Sequence, residues 1–407
     1  MPRAILRLLI PASLGLAHGL GAQQVVNMPA WTKFVSVLDA GIDTDRVAGG
    51  AAVLVVDGRV VAHHERGIAD REAGQRVDDN TLFHYGSITK TLTAIAIMQL
   101  RDRHKLSLDD PISRWVPELR QIHDPYGSID SVTLRMLLSH TAGFQGPTWP
   151  YTEGRSWEPF EPTTWNQLVG MMPYQEVRFK PGSKFSYSNP GYVYLARVIE
   201  ALSGDPWDAY IQKNIFAPLG LTRSYFRSTP YYLAANRSNS YALWRTKEGK
   251  DTTFTFGREF DPGITTPNGG WNAPLADLAT YVAFLTNATR GDATLRSRYD
   301  VVLSRSSLEE MWRPLATTSV DGTGTPADSI GLSFFVLQRN GKRIIGHTGS
   351  QAGFLAFMYF DPETKTGVVA AFNTNNGLPG SHGFRSAVNA ALELLTRSVP
   401  TTKTDLQ

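Results

Sequence analysis

A serine and a lysine stand three residues apart at the start of an apolar stretch, as Ser87 and Lys90 in FHYGSITKTLTAIAIMQL. On a helix, residues at this spacing are neighbours, so the lysine amine can reach the serine hydroxyl. A neutral amine can take a hydroxyl proton, and burial or a nearby cation lowers the pKa of a lysine enough for that. The free N–H groups at a helix start would also stabilise a developing oxyanion. The pair is therefore a candidate nucleophile and base.

The spacing of this pair is not diagnostic by itself. Ser-x-x-Lys occurs once in the 407 residues, and chance alone accounts for a single such pair in a chain of this composition. A helix capped by Ser87, with Lys90 in solvent, explains the same letters.

A second candidate set lies in KFSYSNPGY, where Tyr187 and Asn189 are two residues apart. A phenol close to a lysine can share its proton and act as acid or base, and a side-chain amide can orient a substrate amide. The flanking Pro-Gly pairs predict a loop, where site residues often lie. The alternative is a turn with a half-buried tyrosine and a local hydrogen bond from the asparagine.

A third set lies in GHTGSQAG, at the end of a predicted strand. Gly346 and Gly349 would allow another backbone segment to approach closely. The N–H of Ser350 is a candidate second oxyanion donor, and His347 a candidate contact to a substrate carboxylate or carbonyl. The alternative is a glycine-rich strand end with a packed histidine.

Taken together in this order, the three motifs resemble those of the serine β-lactamase and penicillin-binding-protein superfamily. The Tyr-x-Asn form is similar to the branch that holds class C β-lactamases, D-alanyl-D-alanine carboxypeptidases, D-aminopeptidases and family VIII esterases. The resemblance covers residues 48–395 and includes LSLDDPISRWVPEL, VTLRMLLSHTAGF and PNGGWNAPLADLATYVAFL.

The resemblance implies an acyl-enzyme reaction. Ser87 would be acylated by the substrate, Lys90 and Tyr187 would jointly move its proton, and Tyr187 would help activate water for deacylation. The backbone N–H groups of Ser87 and Ser350 would form the oxyanion hole, while Asn189 would orient the acyl side chain.

The same resemblance places His347, Thr348 and Gly349 at the substrate. It implies a small ester, amide or peptide as the substrate, and no metal or organic cofactor. Class C β-lactamases usually carry Lys-Thr-Gly here, and the lysine faces the substrate carboxylate. A histidine is shorter and largely neutral at pH 7, which favours esterase or D-amino-acid peptidase activity over that of a true β-lactamase or carboxypeptidase. Ala273 is a second departure, because a capping serine or threonine is common there.

The composition is that of a globular chain: 42% hydrophobic, 19% charged, with a net charge of +3 and no basic run that would indicate nucleic-acid binding. The absence of cysteine excludes disulfides, a lipoprotein anchor and a thiol nucleophile. No oligomeric state can be inferred from these features.

Residues 1–22 predict a signal peptide. A short basic start precedes the apolar LLIPASLGLAHGL, which is too short to span a bilayer, and small residues for cleavage follow near Gly19 to Ala22. We expect export to a bacterial periplasm or to the medium, although a disordered start is the alternative. No later segment predicts a membrane helix.

Turn residues and periodicity predict strands, a long mainly helical middle, further strands and a final helix. Asp57-Gly58 and Asn340-Gly341 predict two hairpin turns, and FLAFMYFDPETKTGVVAAFNTN predicts a third hairpin. Helices are predicted over 87–103 with one apolar face, after Thr133 as far as Gly143, and in APLADLATYVAFLTNA with Pro274 at the first helical position.

This order predicts an α+β fold, a mostly antiparallel sheet flanked by helices with an inserted mainly helical domain. The predicted sheet domain is discontinuous, from residues 23–86 and 275–400, and residues 87–274 form the helical domain. Residues 144–166 form an aromatic-rich loop, interpreted as a binding lid or an insertion, and 401–407 a tail. A crevice between the two domains is the natural site.

Two other classes of function compete with a serine hydrolase. A non-catalytic binding protein for penicillin or peptidoglycan fragments would be expected to carry a broken motif, and none is broken. A metallohydrolase could use some of the nine histidines, but there is no H-E-x-x-H, and the adjacent His63 and His64 would point to opposite faces of a strand. An α/β-hydrolase is disfavoured because no G-x-S-x-G occurs.

Overall fold

The structure is a computed structural model that describes residues 28–144, 162–320, 324 and 327–397. The predicted signal peptide, most of the predicted aromatic loop and the predicted tail lie outside the described residues. Within them, no helix is both long and apolar enough to cross a membrane.

Fourteen strands occur in the described residues. In chain order they are β1 Gly49–Val56, β2 Arg59–Asp70, β3 Gln75–Arg76, β4 Phe83–His84, β5 Tyr241–Arg245, β6 Asp251–Thr255, β7 Asn272–Ala273, β8 Ala316–Thr317, β9 Ser329–Ile330, β10 Phe335–Arg339, β11 Lys342–Gln351, β12 Phe354–Asp361, β13 Thr366–Phe372 and β14 Thr374–Asn376.

Twelve α-helices occur in the same residues, with short 3₁₀ turns between them. They are α1 Met28–Thr44, α2 Thr89–Asp102, α3 Leu134–Leu138, α4 Trp165–Met171, α5 Pro190–Ser203, α6 Trp207–Ile211, α7 Ala217–Leu219, α8 Thr266–Gly269, α9 Leu275–Leu285, α10 Ala293–Val302, α11 Arg305–Met311 and α12 Gly383–Arg397.

The main sheet has nine strands in the order β3-β2-β1-β13-β12-β11-β10-β9-β8, and all neighbours are antiparallel. Both of its faces are buried. On β1 and β13, Leu54 and Val368 pack towards α1 and α12, whereas Val53 and Val369 pack into the larger core that holds α2 and α9. Burial on both sides explains why these strands read as continuous apolar runs. The predicted α+β class with a mostly antiparallel sheet is confirmed.

The three predicted hairpins are confirmed. Asp57 and Gly58 have φ angles of 43° and 74°, and Asn340 and Gly341 have 50° and 76°. These left-handed pairs form the tight turns between β1 and β2 and between β10 and β11. The third hairpin joins β12 to β13.

Helix α2 differs from its prediction as a helix with one apolar face. Every residue from Thr89 to Leu100 is buried, so the helix lies inside the molecule. Its polar side chains find distant backbone partners, since the Thr93 hydroxyl donates to the Pro267 carbonyl at 2.7 Å and the Gln99 amide to the Val302 carbonyl at 2.7 Å. These bonds remove the cost of burying polar groups.

Three further local predictions are wrong in detail. Helix α3 is capped by Thr133 but ends at Leu138, well before Gly143. Pro274 is the cap of α9 and not its first residue. Ala273 therefore does not cap the helix, because it belongs to β7 and pairs with Phe83 of β4.

The predicted helical middle also contains strands that the sequence did not reveal. Strands β5 and β6 form a hairpin inside residues 87–274, and β14 completes it as a small three-stranded sheet. The proposed domain boundaries remain a prediction; the main sheet takes its strands from residues 49–76 and 316–372.

Candidate active site

Ser87 lies on a 3₁₀ turn, Gly86–Ile88, that runs directly into α2. Two contacts hold the segment before it: β4 pairs with β7, and the Tyr85 N–H donates to the Trp271 carbonyl at 2.8 Å. From residue 81 to residue 100, Ser87 alone is not buried. A serine that reaches solvent at the start of a buried helix is accessible to a substrate.

Lys90 is completely buried, with 0% of its surface exposed. Its Nζ lies 2.9 Å from the Ser87 Oγ and 2.9 Å from the backbone oxygen of Asn268. Burial lowers the pKa of this amine well below its ordinary value. Among the described residues no carboxylate forms an ion pair with Lys90. The chemistry required of a base, a neutral amine within reach of the hydroxyl, is therefore favoured here.

The ring of Tyr187 also lies beside the Lys90 amine, at 4.9 Å from Nζ to the ring centroid. Tyr187 belongs to the loop before α5, and its ring is 6.3 Å from that of His347. The structure thus brings together one residue from each of the three sequence motifs. A phenol whose ring lies this close to an amine is a candidate to share a proton with it.

Strand β11 runs against the turn that carries Ser87. A Cβ on Gly349 would lie 1.9 Å from the Tyr85 oxygen and 3.2 Å from the Ser87 nitrogen, and a Cβ on Gly86 would lie 2.8 Å from the Ser350 nitrogen. The close backbone approach expected at Gly349 is therefore present. It places the backbone nitrogens of Ser87 and Ser350 on adjoining segments, which is the placement that two oxyanion donors need.

His347 and Thr348 are buried within β11, and the histidine ring is 0% exposed. Burial, with the neighbouring Lys90 as a lesser cause, lowers the pKa of His347 to about 3, so the ring is neutral at pH 7. Its Nδ1 donates to the Thr348 carbonyl, which leaves Nε2 without a hydrogen, and this atom has no partner among the described residues.

Asn189 directly precedes α5, and its side chain makes no capping bond. Its Oδ1 is buried and has no hydrogen-bond partner among the described residues. An unsatisfied buried acceptor costs about 1–3 kcal/mol, so a substrate N–H bonded to it would recover that energy.

Two participants were missed by the sequence analysis. The backbone oxygen of Asn268 binds the Lys90 amine, and no sequence signal marks a main-chain acceptor. His140 packs its ring on Tyr187 with 4.3 Å between centroids. His140 was included only in a predicted helix; a polar Ser-His-Thr run directly after an apolar helix is the signal that could have marked it.

One side-chain cluster in the described residues could hold a metal ion. His63, Glu65 and Asp79 offer ligand atoms within 4.8 Å of one another, largely at the surface. The first two lie on β2, four strands from β11, or about 19 Å at the usual strand spacing. The adjacent His64 binds Asp39 instead, as expected for the opposite face of a strand. The cluster takes no part in the Ser87 site.

The sequence matches the family model described as Beta-lactamase over residues 34–391. Penicillin-binding protein 4* of Bacillus subtilis is 27% identical over 328 residues, which cover 76% of this chain and 64% of that protein. Esterase EstB of Burkholderia gladioli is 32% identical over 197 residues, 46% of this chain and 49% of the esterase. The matched part of the chain thus spans about half of the esterase and less than two thirds of the penicillin-binding protein.

Among solved structures, the octameric penicillin-binding protein homologue from Pyrococcus abyssi matches with a TM-score of 0.69 and 28% identity. The match covers 89% of this chain and 77% of that one.

Proposed function

The chain belongs to the β-lactamase family, and on that premise we propose that it is a serine hydrolase that cleaves esters or amides through an acyl-enzyme on Ser87. One observation carries the proposal: the Lys90 amine is sealed from solvent and lies 2.9 Å from the Ser87 hydroxyl. A buried lysine without a carboxylate partner is kept neutral, and a neutral amine at that distance is a general base.

Acylation begins when the Ser87 Oγ attacks the substrate carbonyl carbon and its proton passes to the Lys90 amine. The carbonyl oxygen becomes an oxyanion that accepts hydrogen bonds from the N–H groups of Ser87 and Ser350. When the intermediate collapses, the bond to the alcohol or amine breaks, and Tyr187 relays the proton from Lys90 to that leaving group.

Deacylation reverses the proton movements with water as the nucleophile. Water attacks the acyl carbon and gives its proton to the Tyr187–Lys90 pair. The Ser87 oxygen then leaves and is reprotonated, and the free acid departs. Asn189, with its unpartnered buried oxygen, accepts an N–H of an acyl side chain where the substrate carries one.

The substrate class follows from the third motif. His347 is neutral at working pH and buried, so that position offers no cation to a substrate carboxylate. This favours esters and amides without a free carboxylate at that point over lactams and carboxy-terminal peptides. The similarity to an esterase over about half of the chain supports the same preference.

Export to the periplasm or the medium is part of the proposal, on the basis of residues 1–22. Fractionation of expressing bacteria, with the intact mass of the recovered protein, tests it. A mature chain that begins near residue 23 outside the cytoplasm supports export, and a full-length cytoplasmic chain contradicts it.

A substrate panel tests the activity itself. Purified protein is assayed with p-nitrophenyl acetate and butyrate, nitrocefin and D-alanyl p-nitroanilide, and Ser87→Ala serves as the blank for each. Turnover of the esters or the anilide above this blank, with nitrocefin much slower, agrees with the proposal. Nitrocefin as the best substrate would indicate a β-lactamase. Penicillin binding without any turnover would indicate a binding protein.

A further inference from the structure

His140 is a buried histidine with a left-handed backbone, directly after the end of α3. It is 1% exposed and has a φ angle of 56°, a backbone conformation that residues other than glycine seldom adopt. Such a backbone conformation persists only where contacts with the surrounding structure hold it in place. For His140, these contacts are with the loop that carries Tyr187.

His140 holds both residues that flank Tyr187. The Ser186 N–H donates to the His140 carbonyl at 2.8 Å, and the Ser188 N–H donates to the His140 Nδ1 at 3.1 Å. One residue thus fixes the backbone N–H groups of the residues before and after Tyr187. With its left-handed backbone, His140 accepts one hydrogen bond through its carbonyl and another through its ring, both from the same loop.

The imidazole also packs directly on the tyrosine. The two ring centroids are 4.3 Å apart with 31° between the planes. Tyr192 packs on the same imidazole at 5.2 Å and Phe185 meets it edge-on at 5.9 Å. The Tyr192 hydroxyl donates a hydrogen bond to the Leu138 carbonyl at 2.9 Å, so the Tyr192 ring that packs on His140 is attached to the end of α3.

The chemistry of the ring fits a holding role better than proton transfer. Because Nδ1 accepts the Ser188 N–H, the ring proton resides on Nε2, which has no hydrogen-bond partner among the described residues. Burial and the nearby Lys90 and His347 hold the pKa of His140 well below its ordinary value. The imidazole therefore stays neutral, and its acceptor stays available to the loop.

From this geometry we infer that His140 is a positioning residue, which fixes the Tyr187 ring against the Lys90 amine by clamping residues 186–188 and stacking on the phenol. The inference rests on the proposed function, because Tyr187 matters only if Ser87 is acylated. A misplacement of about 1 Å in a proton-transfer group is enough to cost on the order of 100-fold in rate.

The test is a double-mutant cycle of His140→Ala and Tyr187→Phe, with kcat expressed per site titrated by a fluorophosphonate. We expect His140→Ala to lower kcat about 10-fold or more with KM changed less than about 2-fold, and to add little in the Tyr187→Phe background. His140→Asn keeps a side-chain acceptor for Ser188 and tolerates the left-handed backbone, so it should regain part of the loss.

Leu395→Ala is the matched control, because this buried residue of α12 packs against the sheet, away from the site. It should lower the melting temperature without changing kcat per titrated site. If His140→Ala does not fold, the cycle with His140→Asn replaces it, and a smaller but equally non-additive loss is expected.

Additive losses, or a kcat per site within about 2-fold of the parent for the folded histidine variant, would overturn the inference. Failure of the proposed function is distinguishable, since the parent protein would then form no acyl-enzyme at all.

Discussion

The Nζ of Lys90 lies 2.9 Å from the Oγ of Ser87, and the lysine side chain carrying it has no surface exposed to solvent. Two features accompany this relationship: α2 is buried from Thr89 to Leu100, and β11 closely approaches the turn that carries Ser87. Each of these features can be changed separately, and each change has a distinct expected effect.

Lys90→Arg keeps a long side chain with N–H donors but cannot supply a neutral base, because a guanidinium is not deprotonated in proteins. We expect acylation by p-nitrophenyl butyrate to fall about 10²–10⁴-fold, the usual contribution of a general base. The measurement is the burst of p-nitrophenol in rapid mixing, with circular dichroism to establish folding. A folded arginine variant with an undiminished burst would show that Lys90 is not the base.

The pH dependence of acylation follows from the same lysine. The base must be neutral, so kcat/KM is lost as the pH falls through the pKa of Lys90, which burial places well below its ordinary value. We expect the acid limb to be complete well before pH 10, and the rate to be level above it. The profile is measured with the Ser87→Ala protein as blank. A rate that keeps rising to a midpoint near 10.4, the value of a solvated lysine, would contradict the burial argument.

Gly349→Ala tests the approach of β11 to the nucleophile. The new Cβ would lie 1.9 Å from the Tyr85 oxygen, so the strand and the Ser87 turn must separate. Loss of one oxyanion donor costs about 10²–10³ in kcat, and we expect a fall of that size. Gly170→Ala is the control, because its added Cβ meets nothing within 4 Å. Equal kcat values for the two variants would refute the role assigned to Gly349.

His347→Lys tests the substrate preference. A lysine at this buried position would be held in its charged form only when a carboxylate pairs with it. Benzylpenicillin carries a carboxylate, so its acylation should rise relative to that by p-nitrophenyl butyrate. His347→Gln supplies a neutral comparison of similar size. We expect the penicillin-to-ester ratio to rise about 10-fold in the lysine variant alone, the effect of about 1.4 kcal/mol. The same ratio in both variants would mean that the charge at residue 347 does not select the substrate.

The hairpins could be predicted from the sequence because their cause is local. Asn340-Gly341 and Asp57-Gly58 supply residues that accept the left-handed backbone of a tight turn, and alternating apolar residues flank them. The site motifs were recognisable as a set, since the strings around Ser87, Tyr187 and His347 occur in the order typical of one superfamily, although none is diagnostic alone. That these strings meet around Lys90 required the fold.

The remaining features depend on long-range contacts that leave no local pattern. The polar side chains of α2 indicated a solvent face, but Thr93 and Gln99 bond to Pro267 and Val302, more than 170 residues away. The clamp of His140 on residues 186–188 is of the same kind. The β5–β6 hairpin was missed because its strands are short and β6 is mostly exposed, which weakens the alternation of apolar and polar residues.

The site of covalent labelling tests the assignment of Ser87 as the nucleophile. Intact-mass and peptide analysis after treatment with a fluorophosphonate should show one adduct per chain, on Ser87. Ser87→Ala should carry none, whereas the exposed Ser306→Ala control should label like the parent. Undiminished labelling of the Ser87→Ala protein, or an adduct on another residue, would contradict the assignment of Ser87 as the nucleophile.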